Sequence, residues 1–116
     1  MSAAKRNLNI ERGAEKSFTL QIKDATGAAV NLTGSSFKAE IREAHRKPLV
    51  ASFTCTTAAP ATNGTILCVL ADDQTSNLDV SQRYKWDLFW RDSGGTNRRL
   101  LYGDVVVQPN ITVPNI

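Results

Sequence analysis

The chain is short of the residues that most chemistry needs. It has one histidine, His45, between Ala44 and Arg46 in an expected turn. Hydrolase triads and most zinc sites require a positioned imidazole, so His45 reads as solvated surface. The two cysteines, Cys55 and Cys68, are thirteen residues apart and have no second pair to complete a zinc set. No apolar run stands behind Lys5 and Arg6 to make a secretory signal, and none approaches the ~18–20 residues of a membrane-spanning helix. The cysteines therefore read as reduced, small apolar side chains on facing strands, with a cross-strand disulfide as the alternative. The Asn-x-Thr sequons at Asn31, Asn63 and Asn110 read as turn residues.

Other candidate sites are incomplete. Asp72-Asp73 is the only adjacent carboxylate pair, and it lacks the alternating oxygens and late Glu of a calcium loop. It reads as helix capping. Gly94-Gly95 lacks the Lys-Ser/Thr and the helix that follow a phosphate loop, so it reads as a hairpin pair. No catalytic, cofactor-binding or metal-ligating residue is assigned, and the chain is not expected to be an enzyme. Charge is modest, with 14 Lys and Arg against 11 Asp and Glu, a formal +3. The cations are scattered along the chain, from Lys5-Arg6 through Arg42, Arg46-Lys47, Arg83, Lys85 and Arg91 to Arg98-Arg99. That pattern reads as a solvated surface rather than a nucleic-acid stripe, with adhesion to an acidic partner as the alternative.

What is present is a period of two. Ser17 to Lys23 and Ser36 to Arg42 alternate polar and apolar residues without a break, which predicts half-buried strands. Leu49 to Thr56 and Thr65 to Leu70 form a hairpin around a small-residue loop. Its register sets Cys55 opposite Cys68, with Ile66, Cys68 and Leu70 inward. Ala71 to Leu78 allows a single helical turn, capped by Asp or Ser and closed by Leu78. Tyr84 to Arg91 is the strongest strand. Tyr84, Trp86, Leu88 and Trp90 form its core face, with a stacking platform for sugar or single-stranded nucleic acid as the alternative. Phe89 then points outward as a contact residue. Asp92 to Asn97 is a glycine-bearing turn, and Arg98 to Gln108 returns as the last strand. Arg98 and Arg99 take opposite faces there, so at most one joins Phe89. Gly103 inside that strand marks a bulge or a close backbone approach. A strand over Leu8 to Arg12, closed by Gly13, completes the set. The 116 residues make one domain. The fold expected is an all-β, immunoglobulin-like antiparallel β-sandwich of about seven strands.

Several elements carry a family resemblance. They are Ile10-Glu11-Arg12-Gly13, Asn31-Leu32-Thr33-Gly34, Tyr84-Lys85-Trp86-Asp87-Leu88 and Leu101-Tyr102-Gly103-Asp104-Val105. Over residues 6–108 the chain resembles the small immunoglobulin-like virion domains of tailed bacteriophages, in particular the N-terminal domain of phage baseplate upper proteins. The resemblance implies a non-enzymatic virion component, assembled in the host cytoplasm, that docks onto other virion structural proteins in a multi-copy symmetric assembly. In that family the domain precedes a longer fibre segment, and the expectation here, where the sequence stops at Ile116, is a stand-alone subunit. The expectation is therefore a tail, baseplate or fibre-attachment adaptor, with a capsid decoration protein as the alternative. A carbohydrate-binding module is the rival of a different class. No cofactor, membrane or nucleic-acid partner is expected. Contacts are assigned to outward Phe89 and Arg91 and to terminal arms of about residues 1–9 and 109–116, the latter through Asn110, Ile111, Val113 and Ile116.

Overall fold

A computed structural model describes residues 3–111, and among these residues the chain forms nine strands in two facing sheets. The strands are β1 (Ala4–Lys5), β2 (Leu8–Glu11), β3 (Lys16–Gln21), β4 (Ser36–Arg42), β5 (Leu49–Ser52), β6 (Thr54–Thr57), β7 (Thr65–Leu70), β8 (Tyr84–Arg91) and β9 (Asn97–Gln108). The larger sheet runs β1-β9-β8-β4-β5, with β2 also paired to β9; the smaller runs β3-β7-β6. Both pack on one core, as a sandwich requires.

Alternation explains most of this. Ala39 and Ile41 of β4, Tyr84, Trp86, Leu88 and Trp90 of β8, and Val105 and Val107 of β9 are buried, as their spacing of two demands. Ile66, Cys68 and Leu70 of β7 are buried from the other sheet, and Cys55 faces Cys68 as expected. Phe18, Phe53 and Trp86 meet at the centre, with ring centroids 5.7–5.9 Å apart and mostly edge-on. Leu20 and Phe37 lie at the margin of the core rather than within it.

Three features depart from expectation. First, the strand read over Leu49 to Thr56 is two strands in different sheets. Arg42–Leu49 and Ile41–Ala51 pairing puts β5 on β4, while Thr54–Val69 puts β6 on β7. The chain changes sheets at Phe53, whose N–H donates to the Ala39 carbonyl at 3.0 Å. Ala51 and Phe53 are both buried, so the alternation passes through the crossing unbroken. Second, the N-terminal segment is no free arm: β1 and β2 lie parallel along β9, from Ala4 opposite Leu101 to Glu11 opposite Gln108. Third, the short helix α1 (Asp72–Thr75) starts from Ala71 without a side-chain cap. The turn is anchored instead by buried Thr75, whose hydroxyl accepts from Gly13 N–H at 3.1 Å and donates to the Asp72 carbonyl at 3.0 Å. Leu78 closes that end of the core as expected.

Candidate functional site

The outer face of the larger sheet is built by the same alternation that fills the core. The ladders align its side chains in rows across β4, β8 and β9: Ser36–Arg91–Asn97, Lys38–Phe89–Arg99, Glu40–Asp87–Tyr102 and Arg42–Lys85–Asp104. Lys5 of β1 borders one side and the Ala44-His45-Arg46 turn the other. Together they enclose an open trough of about 1030 Å³.

A bulge sets the middle rows. Leu88 pairs with Leu101 but Phe89 pairs with Arg99, so Leu100 is an extra residue in β9. Leu100 and Leu101 both turn inward, each 6% exposed, as the two residues of a bulge do. Arg99 thereby reaches the outer face beside Phe89, and its guanidinium lies 4.7 Å from the Tyr102 ring centroid. Arg98 takes the other side, over Trp90 and paired to Asp92 at 3.3 Å. Phe89 is 40% exposed and Tyr102 37%.

Gly103 allows the sheet to carry its parallel edge. A β-carbon there would collide with the Arg6 carbonyl. That carbonyl accepts from the Trp86 indole N–H at 2.8 Å, and the Arg6 guanidinium stacks 4.6 Å from the Phe18 centroid. The close approach expected at Gly103 is therefore that of Arg6, in the link between β1 and β2.

The cations scattered in sequence converge here. Lys5, Lys38, Arg42, Arg46, Lys85, Arg91 and Arg99 line the trough with only Glu40, Asp87 and Asp104 as carboxylates. That face carries +4 where the whole chain carries +3, so the rest of the surface is slightly acidic. Linear spacing hid the cluster because β4 and β8, and β1 and β9, are neighbours in this sheet but distant in sequence. Glu40 is shared by Arg42 at 3.0 Å and Lys38 at 3.7 Å, and Lys85 pairs with Asp104. The Arg91 side chain makes no ion pair or hydrogen bond among the described residues. Asp87, opposite Glu40, is half-buried. Burial raises its carboxyl above the ordinary value and Glu40 adds to this, while Arg99 and Arg42 oppose it.

The assigned contact residues fall in two places. Phe89 and Arg91 share the trough. Asn110 and Ile111 lie past the opposite end of β9, roughly 35 Å along the chain from Arg99 at ~3.3 Å per residue. Asn110 accepts there from Arg12 at 3.3 Å, beside a 450 Å³ hollow lined by Leu78 and Val80, and Ile111 is fully exposed. Val113 and Ile116 lie outside the described residues. Arg99, Tyr102 and Lys38 belong to the trough but were not read as contacts. Alternation from Val105 places Tyr102, and alternation from Ile41 places Lys38. Arg99 depends on the bulge, which has no local sequence mark.

Cys55 and Cys68 are unbonded thiols, and the neighbouring Cys55 thiol, with burial, pushes the Cys68 thiol well above its ordinary value. Among the described residues no group of three or more His, Cys, Asp or Glu is placed to hold a metal ion. Among the described residues no helix is long and apolar enough to cross a membrane.

No family model and no curated protein sequence matches the chain. Solved structures do: 312 chains match, so the fold is a common one and does not by itself select a role. One comes from a photo-crosslinking analysis of multimeric cell-adhesive interactions of VGSC beta subunits. It is similar at a TM-score of 0.51 and 12% identity over 93% of each chain. At that identity the likeness concerns the fold alone, and with the two facing sheets it makes this chain an immunoglobulin-like β-sandwich.

Proposed function

We propose that the chain is a non-enzymatic structural subunit of a tailed-phage virion, an adaptor at the tail, baseplate or fibre attachment that works by contact through its outer sheet face. The virion assignment is supported by the sequence resemblance. The contact role is carried by one observation: a half-exposed Phe89 beside the unpaired Arg91, in a trough more basic than the rest of the molecule. Exposed aromatics and arginines of this kind form the anchors of protein interfaces.

Cryo-electron microscopy of intact particles tests the assignment. Copies ringing the tail or baseplate are the expected result. Copies on the capsid lattice would make the chain a decoration protein, and absence from every particle would reject a virion role. Replacing both Phe89 and Arg91 with Ala is expected to reduce incorporation while the isolated domain still folds. A carbohydrate-binding role draws on the exposure of Phe89 and Tyr102 in one trough. Glycan-array binding lost on Phe89→Ala would favour it.

A further inference from the structure

Charge divides the trough into two halves. Around Phe89 stand Lys38 on one neighbouring strand, Arg99 on the other and Arg91 two residues along, with no carboxylate in either row; of the three, Lys38 alone has an ion pair among the described residues, to Glu40 of the next row at 3.7 Å, and it stays largely exposed. Beyond them Glu40 faces Asp87 across β4 and β8, and Lys85 is occupied by Asp104. The cationic half presents an apolar ring ringed by donors, two of them guanidinium forks suited to carboxylates.

We infer that this half of the trough is a docking site for an acidic protein segment that seats an apolar side chain on Phe89 and carboxylates on Arg91, Arg99 and Lys38. Docking of this kind rests on the contact role proposed above and names the partner's chemistry. A second copy of the chain is a poor occupant in a face-to-face pair, because it would set +4 against +4. A nucleic-acid strand carries evenly spaced phosphates, and one laid along the trough would meet the Glu40–Asp87 pair midway. Burial already disfavours ionised Asp87, and a phosphate beside it would add repulsion. A sugar ring needs an open aromatic face, and the Tyr102 ring is stacked by Arg99 at 4.7 Å. Carboxylates on a peptide are discrete and can be confined to the cationic half.

The test is fluorescence anisotropy of the full chain with a fluorescein-labelled peptide of repeated Glu-Glu-Leu. Saturable binding at ~50 mM NaCl, weakened about tenfold or more at ~300 mM, is expected. Arg91→Ala, Arg99→Ala and Phe89→Ala are each expected to weaken it by about fivefold or more while melting near the parent temperature. Lys23→Ala, off this face, should leave it unchanged. No binding at low salt, or equal losses from Lys23→Ala and Arg91→Ala, would overturn the assignment. Tighter binding of an oligothymidylate or a polyuronate of matched length would overturn it in favour of nucleic acid or glycan. The two proposals fail separately. Peptide binding by a chain absent from particles rejects only the virion role. A chain present in particles with the Phe89 half uncovered rejects the docking site and the outer-face contact role, and leaves the virion assignment standing.

Discussion

Phe89 and Arg99 face each other across β8 and β9 because Leu100 is an extra residue in the ladder. The bulge gives two adjacent ladder positions opposite fates. Leu100 is buried, so Leu100→Ala is expected to destabilise by about 2–5 kcal/mol, the usual cost of truncating a core leucine. Phe89→Ala on the outer face should stay within ~0.5 kcal/mol. Urea titration of both variants checks the contrast. A Phe89→Ala loss as large as that of Leu100→Ala would mean that the ring packs into the fold rather than faces a partner.

Gly103→Ala places a β-carbon against the Arg6 carbonyl. Relieving it displaces the N-terminal strand from β9 and takes the acceptor from the Trp86 indole. Overpacking costs about 1–3 kcal/mol and a buried orphan donor a similar amount. The expected result is a loss of ~2–5 kcal/mol in urea unfolding, with faster amide exchange over residues 8–11 than over β4.

Thr75 holds the end of the sandwich through two hydrogen bonds from one buried hydroxyl. Thr75→Val keeps the shape and removes both partners, leaving the Gly13 N–H unsatisfied. A loss of about 1–3 kcal/mol is expected, and Thr75→Ser should recover most of it. Chemical denaturation of the two variants separates hydrogen bonding from packing.

Asp87 has the opposite pH signature to Asp24, Asp79, Asp92 and Asp104. Hydrogen bonds hold Asp24, Asp79, Asp92 and Asp104 below the ordinary value, so their contribution is present above the unfolded-state pKa and fades as pH falls through the lower folded one. Burial holds Asp87 above it, so its native state binds the proton more tightly. Stability from Asp87 is full below the unfolded-state pKa and falls as pH rises through the folded one. Asp87→Asn removes that loss and the repulsion from Glu40. At pH 7 the variant is expected to be more stable by ~0.2–1 kcal/mol, the scale of a cross-strand charge pair. The gap should close at acid pH, where Asp87 is protonated. Thermal melts across pH read both ends.

Local pattern located much of this molecule. A period of two placed β3, β4, β7, β8 and β9 to within about two residues, set Cys55 opposite Cys68 and turned Phe89 outward, because one buried face forces the register. A glycine amid bulky strand residues marked the close approach at position 103. The helical turn was visible but its anchor was not, since Thr75 is held by Gly13, a residue remote in sequence.

What the amino-acid sequence determined by itself was which residues face inward, because a strand's side-chain period is intrinsic to its backbone. What only the tertiary structure decided was which strands are neighbours outside the two hairpins read from sequence. The crossing at Phe53 and the parallel seating of β1 and β2 on β9 depend on pairing between distant segments, and the bulge at Leu100 on the register of the β8–β9 hairpin. So does the trough: its seven cations come from β1, β4, β8, β9 and the β4–β5 turn. No spacing along the chain encodes them as a cluster, because cross-strand proximity is set by hydrogen-bonded ladders and not by sequence separation.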